Sequence, residues 1–218
     1  MNKSNYIHFL GIKEKIDIVF AIDTSSSVDE SAFSAIKNLL KASLKLFTIS
    51  NEDVRVALTV FGGDRIETVK KFTTSQDILL SAIRNVPRVG GSGGAFAAMF
   101  REVASLFENE GRIDASTQLI IISTAPIAGA DDPGNVIGRL KPVKIGSKER
   151  NVQITLIDIG GKVDNAKKAL ASRDGDIYHL LPSVDQLPKV IGIIEQAASD
   201  VLGEVLHINI HISVSGMP

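Results

Sequence analysis

The chain has no cysteine and no tryptophan, and tyrosine occurs only twice. Without cysteine there are no disulfides, no thiolate chemistry and no zinc–cysteine sites. So few aromatics argue against an aromatic cage for a cation or sugar and against stacking platforms for single-stranded nucleic acid. A formal net charge of −1, with both signs scattered, gives no reason to expect nucleic acid or an anionic membrane as partner. No apolar run is long enough for membrane insertion, and the opening MNKSNYIHFL lacks the long apolar core of a signal peptide. The glycines of VGGSGGAF are not followed by Gly-Lys-Ser/Thr, and Gly160-Gly161 lacks the rest of a dinucleotide fingerprint, so nucleotide binding has no motif to rest on.

What is present is core material. Hydrophobic residues make up 44% of 218 positions, enough for one large domain. The runs KIDIVFAI, VRVALTVF, QLIIIS, VQITLIDI and DIYHLL are rich in Val, Ile and Leu, as strands covered on both faces are. Between them lie helical patterns. Phe33, Ile36, Leu40, Leu44 and Phe47 recur at three- and four-residue spacing, and QDILLSAIRNV, AFAAMFREVASLFENEG (with Gly111 as C-cap), DNAKKALAS and SVDQLPKVIGIIEQAASDVL follow suit. This alternation predicts an α/β fold: a doubly wound, mainly parallel six-stranded sheet with helices on both faces. ETVKKFT follows Gly62-Gly63 too closely for a crossover and is expected to be an antiparallel edge strand. The C-terminal LHINIHISVS alternates strictly, Ile208, Ile210, Ile212 and Val214 against His207, Asn209, His211 and Ser213, which reads as an extra strand with one wet face. The expected organisation is an extension over 1–15, the domain over 16–202, and a strand or link to a following domain over 203–218.

The stretch AIDTSSSVDE ends the first apolar run with an aspartate and three serines. In open α/β sheets ligands bind beyond the carboxyl ends of the strands. Asp23, Ser25 and Ser27 are oxygen donors suited to a hard cation, Mg²⁺, Ca²⁺ or Mn²⁺. The competing reading is that Ser27 or Asp29 is merely a helix N-cap, with Glu30 favouring the first turn.

An apolar strand, Asp-x-Ser-x-Ser, a long amphipathic helix and then VRVALTVF together resemble the von Willebrand factor type A (integrin I-like) domain, over roughly residues 16 to 202. The resemblance implies a metal-ion-dependent adhesion site at the carboxyl edge of the sheet, in a non-enzymatic, extracellular adhesion or matrix protein. It also marks departures. In VGGSGGAFAAMF, Ser92 stands where the family has a ligand threonine and Gly94 where it has a second; in IIISTAPIAG, Ala125 stands where it has an aspartate. The implied metal set is therefore Asp23, Ser25, Ser27 and Ser92, short of one carboxylate, and cation affinity should fall with it. Asp131 and Asp132 lie too far along the loop to substitute. The expected partner is an extracellular protein, collagen or another matrix component, reached through these loops. A second reading makes the chain a self-associating spacer of a matrix filament, using helix faces or the C-terminal strand.

Other motifs point to other chemistry. Gly90-Gly91-Ser92-Gly93-Gly94 fits the G-x-S-x-G elbow of a serine hydrolase, with Asp158 and His179 in triad order. That elbow needs a buried strand before the serine, and SAIRNVPRV reads as a helix end and a loop. His207 and His211 would share one face of a strand, a spacing that suits solvated positions as well as a transition metal. Asn2-Lys3-Ser4 matches the N-glycosylation pattern.

Overall fold

The computed structural model describes residues 15–127, 133–160, 163–173 and 175–195. In chain order the elements are β1 (Lys15–Asp23), α1 (Glu30–Ser43), β2 (Val54–Gly62), β3 (Arg65–Thr73), α2 (Gln76–Arg84), α3 (Phe96–Glu110), β4 (Ala115–Ser123), α4 (Pro133–Ile137), β5 (Val143–Ile145), β6 (Lys148–Arg150), β7 (Gln153–Ile159), α5 (Asn165–Leu170), β8 (Ile177–Leu181) and α6 (187–195). Six strands form one sheet in the order β3-β2-β1-β4-β7-β8. All neighbours are parallel except β3, which runs antiparallel to β2 as expected for a strand that follows a tight turn.

The central strands carry no polar face because both faces are roofed. Ile16, Ile18, Phe20 and Ile22 of β1 enter one core with Phe33, Ile36 and Leu40 of α1, Leu79 and Ile83 of α2, and Val190 and Ile194 of α6. Val19 and Ala21 enter the other core with Phe96, Met99, Phe100, Val103 and Phe107 of α3, Ile137 of α4 and Leu170 of α5. Each large side chain so buried is worth about 1.5–3 kcal/mol relative to exposure. Helices α1, α2 and α6 thus lie on one face, and α3, α4 and α5 on the other.

Local signals set the helix ends. Asp29, not Ser27, is the N-cap of α1: its side chain accepts from the Ala32 N–H at 2.7 Å. Ser75 and Asp164 cap α2 and α5 in the same way. Gly111 does cap α3, although with φ −63° rather than in the left-handed conformation; a Cβ there would fall 2.5 Å from the Phe107 carbonyl oxygen.

Two elements went unread in the sequence. β5 and β6 pair as a short hairpin turning at Gly146 (φ +59°), and α4 is a single short turn of helix. The expected C-terminal strand with His207 and His211, the Asn2-Lys3-Ser4 pattern, and Asp131 and Asp132 lie outside the described residues.

The amino-terminal edge of the sheet is fastened by charge. Fully buried Asp17 accepts from Arg55 Nε and Nη2 at 3.0 and 2.7 Å, and from Arg112 Nε and the Arg112 backbone N–H at 2.9 and 2.7 Å. Arg112 also donates to the carbonyl oxygens of Ile16 and Asp53, so one side chain joins the starts of β1 and β2. A buried carboxylate saturated by two guanidinium forks meets the condition under which burying charge is tolerated.

Candidate functional site: three loops at the carboxyl edge

Three chain segments lie side by side at the carboxyl edge of the sheet: 24–29 after β1, 89–95 between α2 and α3, and 124–127 after β4. They are joined main chain to main chain. Ser26 N–H donates to the Gly91 carbonyl at 2.8 Å, Gly90 N–H to that of Thr24 at 3.2 Å, and Gly94 N–H to that of Pro126 at 2.9 Å. Gly63, in the β2–β3 turn, donates to the Gly93 carbonyl at 2.9 Å. This approach needs glycine. A Cβ on Gly62 would stand 2.7 Å from Ser25 N, and one on Gly91 (φ +79°) 2.6 Å from Gly63 Cα.

Asp23 ends β1 and is fully buried. Its Oδ1 accepts from Ser25 N–H at 2.9 Å; its Oδ2 accepts from Ser123 Oγ at 3.0 Å and from the N–H groups of Thr124 and Ala125 at 3.1 and 2.8 Å. Four donors therefore offset the burial of this carboxylate, and they tie the first loop to the third. Ser25 is also fully buried, and its Oγ has no hydrogen-bond partner; Thr124 Oγ1, in the third loop, is in the same position. Ser27 and Ser92 are exposed, as is Ser26 between Ser25 and Ser27. The Ser26–Gly91 bond sets the Asp-x-Ser-x-Ser loop directly against the loop that carries Ser92.

A hard cation fits this donor set in kind and not in charge. Two buried hydroxyls, Ser25 Oγ and Thr124 Oγ1, are unspent in residues whose backbone N–H groups donate to Asp23, which is what a cation would use. Asp23 is the only carboxylate among the residues of these segments that the resemblance assigns to the metal. Ala125, fully buried, contributes no carboxylate: its N–H donates to Asp23, and its carbonyl accepts from Ser123 Oγ at 3.2 Å. Gly94 has no side chain to offer, and the ring of Phe96 fills its place: a Cβ on Gly94 would fall 2.5 Å from Phe96 Cε2. That ring is itself held edge-on against Phe61 at 5.1 Å.

Sequence reasoning missed Ser123 and Thr124. The signal is two hydroxyls ending an apolar strand, IIIST, at a place where the family resemblance points to the aspartate position instead.

The residues of the hydrolase reading are not brought together. In the β7–β8 register Asp158 lies opposite Leu180 and His179 opposite Ile157, so the two side chains point to opposite faces of the sheet. Asp158 is instead held by Lys167 Nζ at 2.5 Å and Tyr178 Oη at 2.7 Å. Burial, and then the hydrogen bond to Asp158, push the Tyr178 phenol up from 10.0 to about 12. Lys167 is buried although its helix pattern reads as amphipathic, and its ammonium is paired with the buried Asp158 carboxylate.

Comparison with known proteins agrees with the fold. The sequence model of the von Willebrand factor type A domain matches residues 17–192. The collagen alpha-4(VI) chain of Mus musculus is 34% identical over 125 residues, covering 54% of this chain and 5% of that one. Among solved structures, proximal thread matrix protein 1 from the mussel byssus superposes with a TM-score of 0.73 at 16% identity, over 85% of this chain and 48% of that chain. The same byssal protein has been solved with its metal-ion-dependent adhesion site occupied by zinc. The manganese-loaded TRAP protein of Plasmodium vivax gives a TM-score of 0.62 at 17% identity, over 81% of this chain and 72% of that one. The chain thus spans a small part of the collagen chain and about half of the byssal protein. With the family pattern matched along most of its length and the six-stranded sheet in place, this chain belongs to the von Willebrand factor type A domain family.

Proposed function

We propose that the chain is a non-enzymatic adhesion domain of the extracellular matrix, binding another matrix protein through the loop surface around Asp23, Ser25, Ser27 and Ser92. Collagen is the first candidate partner. One observation carries the reading: three loops bonded through their main chains present the exposed hydroxyls of Ser26, Ser27 and Ser92 above a buried carboxylate. A rigid surface of this kind loses little entropy when a partner docks, which favours recognition. A divalent cation, Mg²⁺, Ca²⁺ or Mn²⁺, contributes weakly or not at all, because site charge sets affinity for hard cations and one carboxylate is a low charge. The matrix proteins it is similar to support extracellular residence.

The test is binding of the chain to immobilised collagens and other matrix proteins, with and without chelator, alongside the paired substitution Ser27→Ala and Ser92→Ala. Both positions are exposed, so the fold is expected to be unaffected. Loss of binding at an unchanged melting temperature, with little effect of chelator, is the expected result. Undiminished binding by the paired variant would place the contact elsewhere.

A further inference from the structure

The two edges of the sheet are defended unequally. Outer strand β3 carries Arg65, Glu67, Lys70 and Lys71, and its pairing with β2 is irregular, both of which discourage an added strand. Outer strand β8 has the sequence IYHLL, with no Asp, Glu, Lys or Arg, and Ile177, Tyr178, His179 and Leu180 are each only half-buried. Among the described residues no strand pairs with its free side.

The chain has a segment suited to that edge. Residues 206–215 alternate apolar and polar without a break and carry no Asp, Glu, Lys or Arg. The connection decides whose edge it can reach. β1 passes to β2 through α1 on one face, moving one way across the sheet. β4 passes to β7 and then to β8 through α4 and α5 on the opposite face, moving the other way. Reversing both face and direction preserves handedness, so these crossovers share one hand, and parallel crossovers are right-handed in about 98% of cases. After β8 the chain enters α6, which packs on the α1 face. A parallel strand placed outside β8 by way of α6 would continue in the β4-to-β8 direction with its helix on the wrong face. Its crossover would have the rare left hand.

We propose that segment 206–215 adds as a strand to the free edge of β8 in a second copy of this chain. The pairing supplies main-chain hydrogen bonds to an edge with no charged side chain to repel it, and it completes the burial of Ile177 and Leu180. It is independent of the loop surface, at the far end of the sheet order from β3, so the two contacts can be lost separately.

Sedimentation of the full chain over a wide concentration range should show a dimer or larger assembly that dissociates on dilution. Ile210→Pro, which removes a backbone N–H from the segment, should abolish it with no change in melting temperature and no change in matrix binding. A monomer at every concentration, or an assembly that survives Ile210→Pro, overturns the proposal. Because the chain has no cysteine, introduced ones report the contact cleanly. His179→Cys chains are mixed with chains carrying His207→Cys, Asn209→Cys, His211→Cys or Ser213→Cys, one at a time. Disulfide-linked heterodimers support the assignment. Bonds formed only among the segment-bearing chains would mean that segments pair with each other, and a bond within one doubly substituted chain would mean docking on its own sheet; either result overturns it.

Discussion

The backbone N–H of Ala125 donates to Asp23 Oδ2 at 2.8 Å, so the position where the family keeps a second carboxylate serves here as a main-chain support for the first. The third loop has kept its architectural role while losing its charge.

Restoring that charge should restore sensitivity to metal. Ala125→Asp sets a second buried carboxylate beside Asp23, and the like charges should lower the melting temperature in chelator. Millimolar Mn²⁺ or Mg²⁺ should then raise it, since a ligand at ten times its dissociation constant stabilises by about 1.4 kcal/mol. The unmodified chain should shift far less under the same titration. Equal shifts in the two proteins would mean that Ala125 does not limit affinity.

Asp23→Asn is expected to unfold the loops as well as change their chemistry. It removes a carboxylate that accepts from four donors and leaves some of them facing an amide N–H. A loss of about 2–4 kcal/mol in urea unfolding follows from orphaning buried donors. Position 23 is therefore a poor probe of partner binding, and the exposed serines are better ones. A cost under about 0.5 kcal/mol would show that the network relaxes easily.

Asp17→Asn tests the opposite edge. Two guanidiniums, Arg55 and Arg112, would lose their counter-charge in a place where the side chain of residue 17 is fully buried. Breaking a buried pair from one side costs about 3–5 kcal/mol. The combined variant Asp17→Asn, Arg112→Leu should recover part of it, because one of the two unpaired charges is removed too.

Alkaline pH offers a fourth test. The Tyr178 phenol titrates near 12 in the fold against 10.0 for the ordinary group. A group whose folded pKa is raised gives stability that is complete below the unfolded value and lost as pH climbs through the folded one. Unfolding free energy should thus decline as pH rises from 10 toward 12, while phenolate absorbance from Tyr178 in the folded chain should develop only near pH 12, well above that of an ordinary tyrosine. Tyr178→Phe should remove this component of the decline.

Long apolar strands were legible because burial on both faces leaves no alternation to misread: Ile16 to Ile22 and Leu119 to Ile122 could hardly be anything else. Gly62-Gly63 announced the turn into β3, and Asp-x-Ser-x-Ser announced the edge where a ligand would sit. The β5–β6 hairpin was hidden because its strands are three residues each, with Val143 and Ile145 as its only fully buried apolar contacts. Ser27 and Asp29 are equally good caps on paper; only the observed bond to Ala32 separates them. The Phe96 ring in the space of a Gly94 side chain was equally hidden, since it depends on a neighbour two residues away turning back toward Phe61.

The glycine contacts among Gly62, Gly63 and Gly91 leave no room for side chains between neighbouring loops. Frame and decoration are therefore separate: Ser26, Ser27 and Ser92 can be exchanged without moving the backbone that displays them. A lineage of such domains can acquire new binding preferences by surface replacement alone, while a single methyl group added at one of these glycines would deform the whole display.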